Sequence, residues 1–124
     1  TATLEEVDEA IRAHAESRSV DVEIHQTQHE GVIVELLHGG IDRVDGAVIN
    51  PGGYSHTSRA IEDAIYAVPY PVVEVHMTNI HAVPPTPISF PAMAALGVVA
   101  GFKQDSYILG LDGVIAHLKK ADDG

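Results

Sequence analysis

Strand-like apolar runs alternate with stretches of helical spacing along almost the whole chain, and that alternation limits the fold more than any other feature. Between Thr3 and Ser17 the apolar residues Leu4, Val7, Ile11 and Ala15 recur at helical spacing with charges between them, which predicts an amphipathic helix. Thr3 is placed to cap it, with Glu6 three residues on returning a bond to the cap's backbone N–H. Val20 to Gln26 reads as a strand, because Val20, Val22 and Ile24 alternate with polar neighbours. A helix from His29 to Leu37 carries Ile33, Leu36 and Leu37, and Gly39-Gly40 ends it. Gly46 to Asn50 is a short apolar run suited to a parallel sheet buried on both faces.

A third helix is expected from Thr57 to Ala67, with Thr57 or Ser58 as its cap and Ile61, Ala64, Ile65 and Val68 on its buried face. Pro69 and Pro71 stop it. Val72-Val73-Glu74-Val75-His76 is the next strand, Met77 to Pro91 a proline-rich irregular loop, and Leu96 to Phe102 the last strand. Asp105 or Ser106 then caps a C-terminal helix burying Ile108, Leu111, Ile115 and Leu118. Strands alternating with helices build a mostly parallel sheet covered on both faces, the doubly wound three-layer α/β/α class. Ligands of such sheets bind beyond the carboxyl ends of the strands.

Composition narrows the function classes. The 124 residues suit one domain over 1–124, without internal repeat or linker. A formal charge of -11 repels nucleic acid and anionic membrane surfaces, so neither is an expected partner. No cysteine is present, which excludes disulfides and thiolate chemistry and fits a cytoplasmic setting. No apolar run reaches the roughly 18 residues of a membrane span.

Chemistry concentrates after two of the strands. Asn50-Pro51-Gly52-Gly53-Tyr54-Ser55-His56-Thr57-Ser58 leads into a helix start, where glycines permit close approach and free N–H groups favour an anionic oxygen, although a plain capping turn has the same composition. In Glu74-Val75-His76-Met77-Thr78 a period of two puts Glu74, His76 and Thr78 on one side, so a carboxylate can orient an imidazole. A glutamate at the end of an apolar strand is costly unless paired, whether in a site or across a subunit interface. Zinc on His56, His76 and His81 fits no familiar ligand spacing. Gly53-Tyr54-Ser55-His56-Thr57 lacks the final glycine of a nucleophile elbow. The remaining histidines, His14, His25, His29, His38 and His117, carry no expected catalytic role.

These stretches resemble the type II 3-dehydroquinate dehydratases. The similarity lies in Gln26-Thr27-Gln28-His29-Glu30-Gly31, Ile49 to Ser58, Ala60-Ile61-Glu62-Asp63-Ala64 and Val73 to Ala82, and it runs from about Leu4 to about Leu118. The resemblance implies a flavodoxin-like fold and loss of water from 3-dehydroquinate, giving 3-dehydroshikimate through an enolate, with no metal or organic cofactor. It implies trimers packed into a dodecamer. It assigns His76 as general acid and Glu74 as its neighbouring carboxylate. Asn50 and His56 would bind substrate, Met77 and Thr78 would hold its carboxylate through backbone N–H groups and the threonine hydroxyl, and Asp63 would reach a neighbouring subunit's site.

Two departures accompany the resemblance. The family's first strand, and a lid carrying an arginine and the tyrosine base, come before the helix that opens this sequence, so an upstream segment is expected. Without that strand, which is interior in a 2-1-3-4-5 sheet, two neighbouring segments should have unpaired backbone. Arginines that follow the His-Ala pair in the family are replaced by Val83-Pro84-Pro85-Thr86-Pro87, which puts ligand contacts from that loop in question. Tyr54, Tyr66, Tyr70 and Tyr107 do not occupy the lid position. The alternative is a catalytically impaired or altered-substrate relative, acting as a binding or assembly module for a cyclic hydroxy acid.

Overall fold

A computed structural model describes residues 2–82 and 88–123. The elements run α1 (Leu4–Ser17), α2 (Glu30–Gly39), β1 (Ala47–Ile49), a 3-10 turn (Gly52–His56), α3 (Arg59–Ala67), β2 (Val72–His76), α4 (Phe90–Ala94), β3 (Gly97–Ala100) and α5 (Asp105–Asp123). The three strands form one parallel sheet in the order β1-β2-β3. Ile49 is registered with Glu74, and Glu74 in turn with Val98, so the carboxyl ends of β1 and β2 lie side by side. No described helix is long and apolar enough to cross a membrane.

The alternation of side chains along β2 divides the core in two. Val72 packs with Leu37 of α2 and Ile61, Ala64 and Ile65 of α3 on one face, while Val73 and Val75 pack with Val114 of α5 on the other. Each fully buried valine or isoleucine contributes about 1.5–3 kcal/mol of transfer free energy. Gly110 lets α5 settle onto the sheet, because a Cβ there would lie 2.7 Å from Val75 Cγ1. That leaves a layered α/β/α arrangement with β2 at its centre.

Local chemistry sets the helix starts. Thr3 caps α1 by accepting from the Glu6 N–H, but its hydroxyl donates to the Glu6 carboxylate, where the sequence reading has Glu6 reaching the cap's backbone N–H. Ser58, fully buried, caps α3 through the Ile61 N–H. All four expected residues of the α3 face, Ile61, Ala64, Ile65 and Val68, are buried. On α5 the deeply buried side is Ser106, Gly110, Val114 and Ile115, whereas Ile108, Leu111 and Leu118 are only half-buried. Leu4, expected on the buried stripe of α1, is 54% exposed.

Two expectations are corrected. Val20–Gln26 forms no strand: it has no ladder partner among the described residues, although Val20, Val22 and Ile24 are still more buried than their neighbours. Apolar alternation cannot make a strand unless another backbone stands within hydrogen-bonding reach. The segment is tied to the body by the Val20 N–H to the Ala15 carbonyl and by an ion pair between Glu23 and Arg43. The second correction is α4, which occupies the end of the stretch read as loop, with Ser89 as its cap. Residues Val83 to Pro87 lie outside the described residues, as does the loop comparison that rests on them.

Candidate active site at the ends of β1 and β2

β2 is buried at every position and has a neighbour on each side, so its last residues are held by two ladders. Glu74 is completely buried and His76 is 6% exposed. The period of two puts both on one face, and His76 Nε2 stands 2.7 Å from Glu74 Oε2. A buried carboxylate requires compensating donors, and a second one is present. Ser89 Oγ donates to the carboxylate at 2.9 Å from Oε1 and 2.8 Å from Oε2. With Nε2 turned to Glu74, Nδ1 is the ring nitrogen directed away from the carboxylate.

Beyond the end of β1, Asn50 is exposed and its side-chain amide is oriented at both ends. Oδ1 accepts from the Gly52 N–H at 3.0 Å, closing a turn in which Gly52 takes a φ of 56°, and Nδ2 donates to the Tyr107 hydroxyl at 2.9 Å. One amide hydrogen of Asn50 is left over for a ligand. The 3-10 turn then carries His56, exposed, with Nδ1 3.3 Å from the Ile88 carbonyl. Ile88 precedes Ser89, so β1's end, the turn and the start of α4 converge on the Glu74–His76 pair. The Arg59 guanidinium, paired with the buried Glu62 at 2.8 Å, lies 4.0 Å over the Phe90 ring and ties α3 to α4.

Met77 follows directly, half-buried, its carbonyl accepting from the Lys103 N–H at 2.8 Å; Thr78 is exposed beside it. The structure thus brings Asn50, His56, Glu74, His76, Met77 and Thr78 to one end of the sheet. Asp63 is not among them: it stands exposed on the outer side of α3, while its neighbour Glu62 is the buried carboxylate. His56, His76 and His81 form no metal-binding group, and no cluster of three such ligands occurs among the described residues.

Two neighbours of the site escape the sequence reading. Ser89 is detectable only as the cap before Phe90-Pro91, a helix start with proline in the first turn. Tyr107 sits in the first turn of α5 just after β3, the side of the sheet where ligand contacts are sought. The other three tyrosines are committed elsewhere, each hydroxyl donating to a backbone carbonyl: Tyr54 to Gln28, Tyr66 to Met93 and Tyr70 to Leu37.

Residues 1–115 match the family model described as dehydroquinase class II. A 3-dehydroquinate dehydratase of Ruegeria pomeroyi is 45% identical over 119 residues, covering 95% of this chain and 80% of that protein. One from Dinoroseobacter shibae is 40% identical over 121 residues, covering 97% of this chain and 81% of its own length. The crystal structure of type II dehydroquinase from Butyrivibrio crossotus superposes with a TM-score of 0.88 at 31% identity, covering 91% of this chain and 80% of that chain.

Proposed function

This chain belongs to the class II dehydroquinase family, and from that premise we propose that the Glu74–His76 pair supplies the proton for the dehydration. The chain is a hydro-lyase that removes water from 3-dehydroquinate. In our reading a proton leaves the carbon beside the ring ketone, the resulting enolate expels the hydroxyl on the next carbon, and His76 protonates that hydroxyl as it departs. The products are 3-dehydroshikimate and water. Nε2 faces Glu74, so the proton is assigned to Nδ1, and the carboxylate orients the ring that delivers it.

The single observation that carries this reading is the 2.7 Å contact between His76 and a fully buried Glu74 at the carboxyl end of the central strand. Asn50 is assigned to substrate binding and His56 to ring hydroxyls. The backbone N–H groups of Met77 and Thr78, with the Thr78 hydroxyl, are assigned to the substrate carboxylate, whose charge local donors offset against the overall -11. Asp63, exposed on α3, is assigned to a neighbouring subunit's site. The resemblance implies a lid tyrosine for proton abstraction; Tyr54, Tyr66 and Tyr70 donate to backbone carbonyls and Tyr107 accepts from Asn50.

His76→Ala is expected to lower kcat by about 10²–10⁴-fold, followed as the near-ultraviolet absorbance of the enone product. Turnover at the wild-type rate would overturn the assignment. Assembly as trimers packed into a dodecamer belongs to the same proposal, supported by the exposed apolar side chains Tyr66, Met93, Leu96 and Val98, and is tested by light scattering in solution. The cysteine-free composition supports a cytoplasmic setting.

A further inference from the structure

We infer that Ser89 is a positioning residue for the acid pair: its hydroxyl holds the Glu74 carboxylate in the plane from which Oε2 faces and orients the His76 ring. The inference rests on the reading of Glu74 and His76 given above. Among the described residues Glu74 has two side-chain partners, the His76 imidazole and the Ser89 hydroxyl. Ser89 Oγ also accepts from the Ala92 N–H at 3.3 Å. A serine hydroxyl has a single hydrogen, and with that N–H directed at its oxygen the hydrogen is free to point at the carboxylate.

Two consequences follow for the pair. First, a donor between Oε1 and Oε2 fixes the plane of the carboxylate, which leaves Oε2 facing the imidazole. Second, a buried carboxylate is expensive to keep ionised, and each charge-assisted hydrogen bond reduces that cost. Without the hydroxyl the carboxylate loses one of its two side-chain partners and can rotate away from the imidazole. His76 would then present its ring to the departing hydroxyl without the partner that orients it. Ser89 in turn is held by α4, whose Phe90 ring lies under the Arg59 guanidinium, so its position is set by packing outside the site.

The test must separate this role from capping α4. Ser89→Gly removes the hydroxyl yet keeps a residue well tolerated at a helix cap, and Ser89→Thr keeps both functions. In the full-length protein, Ser89→Gly is expected to lower kcat by about ten- to a hundredfold, with KM for 3-dehydroquinate within about twofold, and Ser89→Thr to restore most of the loss. A capping role alone would lower the Tm of Ser89→Gly and leave the kcat of the folded fraction unchanged. That result, or a kcat loss that Ser89→Thr fails to restore, overturns the inference. His76→Ala run in parallel keeps the two readings apart: if it abolishes turnover while Ser89→Gly leaves kcat intact, the inference alone fails. Turnover that survives His76→Ala overturns both.

Discussion

β2 and Val20–Gln26 carry the same kind of residues to different ends. β2 has β1 on one side and β3 on the other, all five of its positions are buried, and its carboxyl end carries the Glu74–His76 pair. Val20–Gln26 has its β-branched residues half-buried, no ladder partner among the described residues, and an ion pair from Glu23 to Arg43, ahead of β1. β1 lies between the two cases, paired along one edge and only half-buried. The difference teaches that a catalytic side chain is positioned by what flanks its backbone. A carboxylate can be buried at the end of β2 because the fold brings it the His76 ring and the Ser89 hydroxyl. Glu23, in Val20–Gln26, is exposed.

The contrast can be broken by mutation. The largest stability effect is expected from Ile61→Ala beneath β2, about 2–5 kcal/mol for a cavity in a fully buried cluster, whereas Ile24→Ala in the unpaired segment should cost less than about 1 kcal/mol. Urea titrations of the two variants check this, and equal losses would show that Val20–Gln26 is as well packed as the core.

A smaller effect is expected at Tyr70, whose hydroxyl donates to the Leu37 carbonyl beside the same core. Burial pushes the Tyr70 phenol up, with nearby Arg43 opposing. The folded protein therefore holds the proton more tightly than the unfolded chain, so this contribution is fully present below pH 10.0 and is lost as pH rises through the folded value. Tyr70→Phe should cost about 1–2 kcal/mol at neutral pH and flatten the decline above pH 10, read by denaturation at several pH values. An unchanged alkaline slope would refute the assignment.

Smallest of all is the tether. The Arg43 hydrogen bond, then that of His25, hold the Glu23 carboxyl below its ordinary value, so the stabilisation is present above pH 4.5 and lost as pH falls through the folded value. Both partners are exposed, and salt screens such pairs. Arg43→Ala should return the Glu23 titration toward 4.5 by NMR while leaving the denaturation midpoint where it was. A clear loss of stability would mean that the ion pair, rather than contacts with α1, holds this segment.

Legibility from the sequence followed the range of each interaction. The buried face of α3 was readable, since a face repeats within a turn, while its cap was narrowed to Thr57 or Ser58 and the structure selects Ser58. The pairing of Glu74 with His76 was readable too, because residues two apart on a strand share a side. Ser89 reaches Glu74 across 15 positions and Tyr107 reaches Asn50 across 57, and no local periodicity spans such distances.

What the sequence by itself determined was therefore the α/β class, the existence of α1, α2, α3 and α5, and the placing of Glu74 and His76 on one face of a strand. Only the tertiary structure decided that Val20–Gln26 would not be a strand, that α4 would begin at Ser89, and that a serine would complete the carboxylate's hydrogen bonds. Local order needs only the spacing of neighbouring residues. A ladder, or the second donor to a buried charge, needs another piece of backbone or side chain brought within about 3 Å, and the fold alone supplies that.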